Sequence, residues 1–460
     1  MKRGGGHFLP EARLHQSLTR RAIPRATKSI SVGCCGAYFA IDFDACSNGF
    51  TEVTEYPVRC ELADVPNPLK SPSHSVCLSM RAFLRLILAS ILGSVAAVPC
   101  ARAFATLGHG RLIGASTLRA DYDSNIFVND SQVDDLVGTA TGEVRYVREA
   151  GVVTFEAATG LSLLGFANHS DQNGIEPFVE MRLGYSPSDK TEARAGVSFR
   201  RSTIANETVN DRTKSNDFRF DGSYQHLPTE KLGFRLTVVS SQSSYLSTGY
   251  SNLDSYSVGV HAVHVYSPKL KLLAGIAHGN ADTDSAVAGR QGVDGADWRY
   301  TVSAEGEFAA KITGEVSAGY ARREFDGAGF RDTGTFYLAT RFTWLAAEKT
   351  NVSLLADQNF GLSASDQSVK SSSLSVMLNQ SFSQKFAFEG SAGIDRSSYV
   401  GSFGTSNRKD NGWIFRARLN YVLRDNISLD VSSGYRRNNS TAAVSDYDRF
   451  NFGAGVSFRF

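Results

Sequence analysis

Cysteine is scarce and confined to the first hundred residues. Of the 6 in 460 residues, Cys34, Cys35, Cys46, Cys60 and Cys77 precede residue 80, and the last is Cys100. From Thr106 to the C-terminus there is none, so that stretch holds no disulfide and offers no thiol nucleophile. Cys34 and Cys35 are adjacent, and no C-x-x-C pair meets a matching partner, so zinc-site spacing is absent. Proline is also rare, at 11, so few positions would interrupt a backbone ladder. Neither sign of charge dominates: Lys+Arg 48 against Asp+Glu 46 gives +2, which argues against a dedicated nucleic-acid binder. After Ala105 no apolar run approaches the ~20 residues of a membrane-spanning helix.

Catalytic signatures are missing too. The chain after Ala105 has no G-x-S-x-G, no Walker motif and no H-E-x-x-H. His261 and His264 lie three apart, which puts them on opposite faces of a strand. His261 then faces the polar side and His264 sits near Tyr266, so they share no metal site. Asn280, Asp282 and Asp284 resemble the opening of a calcium loop. Ser285 and Gln291 stand where the loop needs Gly and Glu, so the segment reads as a solvated outside loop. No serine, histidine and acid fall at matched height along the alternation. An enzyme is not expected, and neither is a metal or other cofactor.

What is present begins with Met80–Ala105, "MRAFLRLILASILGSVAAVPCARAFA". Arg81 and Arg85 supply a positive start, Leu86–Val98 an apolar run of about thirteen residues, and Ala103-Phe104-Ala105 a small-x-small cleavage site. This is the anatomy of an export signal. The reading divides the chain into a dispensable upstream extension (1–79), a signal peptide (80–105) and an exported part (106–460).

The exported part is rich in aromatics, within totals of 29 Phe and 17 Tyr. It alternates apolar and polar residues with period 2, the strand signal. In "WIFRARLNYVL", Trp413, Phe415, Ala417, Leu419 and Tyr421 oppose Arg416, Arg418 and Asn420. The segments pair through short turns, from "REAG" and "SPSDK" to "SQK" and "RDN". An aromatic precedes each turn: Tyr146, Tyr185, Tyr224, Tyr266, Phe308, Trp344, Phe382 and Tyr421. The repeat is about 39 residues: strand, polar loop, strand, short turn. Counting gives about 18 strands of about ten to twelve residues each.

This pattern predicts an all-β fold, a transmembrane antiparallel up-and-down β-barrel with short periplasmic turns and longer extracellular loops. The pre-turn aromatics form the periplasmic girdle. Tyr122, Tyr256, Trp298, Tyr320, Trp413 and Tyr435 form the outer one. The ending "FNFGAGVSFRF" carries Phe458 and Phe460 as an assembly signal for the barrel-assembly machinery. The expected partner along the wall is outer-membrane lipid.

The polar face lines a lumen too wide for side chains to fill. It carries Arg145, Arg182, Arg194, Arg200, Arg219, Arg299, Arg341, Arg416 and Arg418, with Glu143, Glu156, Glu180, Asp221, Glu305, Glu307, Glu315 and Glu389. Rings of charge set permeant selectivity, but the signs are balanced, so strong selectivity is not expected. Phe178 and Tyr337 are among the few aromatics on this face.

At the first strand, "LRADYDSNIF" (Leu118–Phe127) resembles the putative β-barrel porin 2 family. That resemblance covers essentially the whole exported part in organisation. It implies outer-membrane localisation and a porin-like channel for hydrophilic solutes. It also implies an association with exopolysaccharide export and its proteins, though not the periplasmic helical-repeat domain of larger export porins. The alternatives are a structural or surface-binding barrel without an open pore and, less well supported, an outer-membrane enzyme.

The expected mature N-terminus is near Thr106. N-terminal sequencing of outer-membrane material checks it, and mature protein that still carries peptides from residues 1–79 would refute it.

Overall fold

The structure, a computed structural model, describes residues 105–285, 292–326, 331–400 and 408–460. The expected upstream extension and export signal, apart from Ala105, lie outside the described residues. The strands in order are β1 (Ala105–Leu107), β2 (Gly110–Asp123), β3 (Asp135–Ala150), β4 (Val153–Phe166), β5 (Gly174–Ser188), β6 (Thr191–Asn206), β7 (Asp211–His226), β8 (Leu232–Tyr245), β9 (Asn252–Ser267), β10 (Leu270–Asp284), β11 (Asp294–Ala309), β12 (Ile312–Phe325), β13 (Thr333–Ala347), β14 (Thr350–Ser363), β15 (Gln367–Ser381), β16 (Phe386–Val400), β17 (Lys409–Arg424), β18 (Ile427–Ser440) and β19 (Tyr447–Arg459).

From β2 onward each strand pairs antiparallel with the next. β19 then returns to β2, with Asn451 opposite Asp123 and Arg459 opposite Ala115. The result is a closed 18-strand antiparallel barrel. Closure matters because an open edge in lipid would leave N–H and C=O groups unpaired. The short β1 folds back on the first residues of β2, Leu107 opposite Gly110.

The 39-residue repeat is visible as a structural joint. In six of the short turns a lysine precedes the rising strand. Its carbonyl accepts an N–H from the next descending strand: Lys190 from Leu227, Lys231 from Val265, Lys269 from Glu307, Lys311 from Leu345, Lys349 from Ser381 and Lys385 from Val422. Each joint locks one hairpin to the next, so register passes around the ring.

The strands are longer than the ten to twelve residues expected. β19 has 13 residues and β3 has 16. Ten residues at ~3.3 Å rise and ~40° tilt already cross a ~25 Å apolar band, so the excess extends past the girdles. Part of what reads as outside loop is therefore strand. Asn280–Asp284 ends β10 and Asp294–Asp297 begins β11, leaving only residues 285–293 between them. The acidic segment is thus paired strand at the rim of the barrel rather than a solvated loop. Loop-side connections are mostly longer than the turns, but residues 207–210 and 364–366 are short exceptions.

Register separates the two faces. Phe388, Leu419 and Val431 lie side by side, as do Ala392, Phe415 and Tyr435. On the opposite face Glu389, Arg418 and Ser432 align. The apolar face is the outer one: Trp413 is 51% exposed, Tyr266 69% and Val302 65%. Such a surface is intolerable in water and suits lipid. Buried apolar clusters are small. One joins Leu227, Val263 and Leu273; the other joins Ile427, Val456 and Phe458, packed by Leu118 and Phe460. Phe460 also exchanges two backbone hydrogen bonds with Gly114, at 2.7 and 3.1 Å, which ties the C-terminus to the first long strand.

Trp413 and Tyr421 bracket Ala417, so Leu419 lies ~5 Å to the periplasmic side of the midplane. Leu419→Arg is expected to cost about 2–4 kcal/mol of stability, toward the lower end at that depth. Arg416→Ser, on the wet face, should be nearly neutral. Urea unfolding from lipid vesicles measures both. The reverse ranking would invert the inside-outside assignment.

Candidate functional site

The inner face is built by alternation, and its side chains bridge strands that are not neighbours, which only a concave wall allows. Arg119 on β2 pairs with Asp121 (2.8 Å) and with Asp430 on β18, which also attracts Arg418 (3.7 Å). Arg235 on β8 reaches Glu305 on β11 at 2.5 Å, with Lys271 3.9 Å from the same carboxylate. Arg145 joins Glu143 (2.8 Å) and Glu156. Arg200 meets Glu180 at 3.3 Å, Arg219 meets Asp221 at 3.6 Å, Arg194 meets Glu192, and Lys269 meets Glu307 at 2.7 Å. Arg182 lies opposite Glu156, and Arg341 opposite Glu315. Glu389 is opposite Arg418, and Arg416 opposite Ser391. Arg299 packs on the Tyr337 ring at 4.8 Å, and Arg200 on Phe178 at 5.3 Å.

All the charged residues expected on the polar face share this register face. The more exposed pairs, such as Arg194–Glu192 and Arg219–Asp221, contribute about 0–1 kcal/mol each, whereas Arg119–Asp430 and Arg235–Glu305 are mostly buried. Sequence reasoning left out Arg119, Asp121, Arg235, Lys271 and Asp430. Alternation alone would have found them: in "LRADYD", Arg119 and Asp121 alternate with Leu118, Ala120 and Tyr122.

The extracellular mouth is less regular. The β5–β6 ladder stops at Phe178 opposite Arg200, although β6 runs on to Asn206. The β13–β14 ladder stops at Leu338 opposite Gln358, although β14 runs on to Ser363. At both seams a hairpin tip leaves the wall and turns into the lumen. The outward side of each tip then packs on the inner side of its former neighbours. Thr203 N–H donates to Glu176 on β5 at 2.5 Å. Arg212 stacks on Phe166 of β4 at 4.7 Å. Gln358 donates to Thr335 at 2.7 Å. Arg323, 2% exposed, binds Asp297 (2.6 and 2.7 Å), the Gly361 carbonyl (3.1 Å) and Ser368 (2.9 Å).

The β14–β15 tip stays near this wall. Asp366 accepts from Thr283 (3.0 Å) and Ser285 (3.2 Å), and the Ala364 carbonyl accepts from Ser251 N–H (2.9 Å). Below it lies a cavity of about 570 Å³ whose lining includes Arg219, His261, Arg299 and Tyr337. The β6–β7 tip instead reaches β16–β19, on the other side of the barrel. Arg436 pairs with Glu207 (2.6 Å) and Asp395 (3.1 Å), Arg408 donates to the Glu207 and Thr208 carbonyls (2.7 and 2.9 Å), and Ser445 donates to Asn210 (2.6 Å). Asn210 also donates to the Val128 carbonyl at 2.8 Å and holds a left-handed φ of 56°. The expected empty lumen is thus crossed at its mouth.

The histidines lie as expected: His261 shares the inner face with Arg235, and His264 shares the outer face with Leu232 and Leu272. The acidic segment forms a ladder across three strands, with Asp254, Asp282 and Asp294 in register. Among the described residues no group of three or more His, Cys, Asp or Glu is arranged to hold a metal.

A family model described as putative beta-barrel porin 2 matches residues 108–460, the whole barrel from just before β2 to the last residue. The chain belongs to this family. No curated protein compared with the chain matches it. Among solved structures, this porin 2 chain is similar in fold to Pseudomonas aeruginosa OpdQ (10% identity, 77% of this chain and 99% of that one, TM-score 0.42) and P. aeruginosa OccK2, also called OpdF (11%, 77% and 98%, 0.43). It is likewise similar to Acinetobacter baumannii OccAB2 (10%, 78% and 99%, 0.41). It is a porin-like outer-membrane barrel.

The acidic ladder gives the porin a pH dependence. Asp282 lies above the outer girdle, where burial first, and then the hydrogen bond and charge of Asp294, push its carboxyl up to about 6. The unfolded carboxyl ionises near 4. Stability is therefore lost as pH rises from about 4 to about 6. Asp282→Asn should reduce the difference between urea midpoints at pH 4 and pH 7; an undiminished difference would count against this assignment.

Proposed function

We propose that the barrel is a channel through which small hydrophilic solutes diffuse across the outer membrane. The observation that carries this reading is the inner wall, polar and ion-paired on the face opposite the lipid surface. An 18-strand ring is ~35 Å across between backbones, wide enough for water and solute. Cations and carboxylates interleave in near-equal number on that wall, so selectivity between anions and cations is weak. The signal at Met80–Ala105 directs export, and Phe458 and Phe460 engage the assembly machinery.

Exopolysaccharide export has less support. The mouth is crossed by a hairpin bonded on its far side, which suits small solutes better than a bulky polymer. A structural or surface-binding barrel without an open pore is the competing reading.

Planar-bilayer recording of the refolded exported part decides between them. The expected result is stepwise ohmic conductance. In a salt gradient the reversal potential should be small in the wild type and shift toward cations in Arg416→Ser, because Arg416 forms no ion pair among the described residues. Folded protein that never conducts would instead favour the structural barrel.

A further inference from the structure

On the outward side of the extracellular rim, three cations lie together on β15 to β17. Lys370 and Lys409 both stand opposite Ser398, one on each neighbouring strand. Arg396 is two residues below Ser398 on β16, opposite Ser372 and Asn411. By alternation these positions share the outward face with Leu374, Ile394 and Trp413. With strands ~4.8 Å apart and a rise of ~3.3 Å per residue, the three Cα atoms fall within about 10 Å of one another. Arg396 and Lys409 are exposed, and Lys370 is half-buried.

No carboxylate answers them. The outward positions from Lys370 to Gln380 on β15, Phe386 to Val400 on β16 and Lys409 to Leu423 on β17 hold no Asp or Glu. Among the described residues none of the three cations forms an ion pair. Two other outward cations of the rim are matched. Arg322 on β12 meets Glu324 (3.2 Å) and Asp332 (3.1 Å), and Arg437 on β18 meets Asp446 (2.6 Å) and Asp448 (3.1 Å). Like charges as close as Lys370, Arg396 and Lys409 repel one another, a cost that an anion seated among them removes.

A second feature lies below the cations on the same strands. A lipid-facing groove of about 430 Å³ has Gly390, Ala392 and Ala417 in its floor and Val376, Phe415 and Tyr435 along its walls. Ala392 is four residues below Arg396 on β16, about 13 Å along the strand. Trp413, opposite Ile394, lies between the two features. The cations therefore stand at headgroup level, and the groove runs from beneath them toward the midplane near Ala417. Positive charge above and an apolar trough below is the pattern of a single anionic lipid, headgroup and chain.

We propose that this face binds one lipid of the outer leaflet whose headgroup carries a phosphate monoester. Lys370, Arg396 and Lys409 hold the phosphate, and an acyl chain lies in the groove. A phosphate monoester brings close to two negative charges and three acceptor oxygens, which suits three cations with the Ser372 and Ser398 hydroxyls beside them. A zwitterionic headgroup brings its own cation and gains less. The site is on the outside of the barrel, so it does not depend on whether the pore conducts.

The test places the folded barrel in phosphatidylcholine vesicles and reads the fluorescence of Trp413, with Trp298→Phe and Trp344→Phe removing the other two of the 3 tryptophans. The probe is phosphatidic acid with brominated acyl chains, and brominated phosphatidylcholine is the reference. Quenching should show phosphatidic acid preferred by about fivefold or more, since each Lys or Arg beside an anionic headgroup is worth about fivefold. Lys370→Gln, Arg396→Gln and Lys409→Gln together should abolish the preference, with heat-modifiable mobility confirming that the variant folds. Ala392→Phe fills the groove without touching charge, and should weaken phosphatidic acid binding whether or not the triple variant folds. A barrel that keeps Trp344 alone, beside a periplasmic turn, should show no preference. Equal quenching of Trp413 by both lipids would overturn the proposal, and so would the same preference at Trp344. If neither lipid quenches Trp413, a second copy of the chain covers the face and the lipid site falls. If inorganic phosphate displaces the probe and Ala392→Phe has no effect, the cations hold a free anion and the lipid site falls likewise.

Discussion

Every backbone amide inside a lipid bilayer needs a partner supplied by the protein. The rest of this structure depends on that requirement. It accounts for the return of β19 to β2 and the exchange of hydrogen bonds between Phe460 and Gly114. It also accounts for the lysine carbonyls that lock each hairpin to the next. Apolar burial contributes little by comparison, since the two buried clusters are small and most large apolar side chains face outward to lipid.

The same requirement locates the irregularities. The two seams, above Phe178–Arg200 and above Leu338–Gln358, open near the ends of strands that run past the girdles. There the freed groups find polar partners: Thr203 N–H finds Glu176, the Gly361 carbonyl finds Arg323, and the Ala364 carbonyl finds Ser251. A seam at the depth of Phe415 or Val431 would have no such recourse. The mouth can therefore carry a crossing hairpin while the wall below it stays a regular ladder.

Much of the barrel was legible because period 2 is a strong signal when one face meets lipid and the other water. Trp413 to Tyr421 on one face and Arg416 with Arg418 on the other follow from alternation alone. So do Glu315 and Arg341 on the polar face and the aromatics before each turn. Arg119, Asp121 and Asp430 are equally legible by the same alternation. The inward hairpins had a weaker trace. In "RRSTIANETVNDRTKSND" and "QSVKSSSLS" both faces are polar, so alternation fails where the strands leave the lipid. Read alone, that failure looks like loop, so alternation stops short of the true strand ends and the Asp282 segment reads as loop.

What the sequence determined by itself was the wall: strand count, the inside and outside of each strand, and the aromatic girdle, because each is a local consequence of alternation and repeat. What only the tertiary structure decided was the mouth. Glu207 and Arg436 are more than two hundred residues apart, and nothing local couples them. Their meeting depends on ring closure, which brings β18 across from β6, and on the point where the β5–β6 ladder gives out. Both are properties of the closed ring.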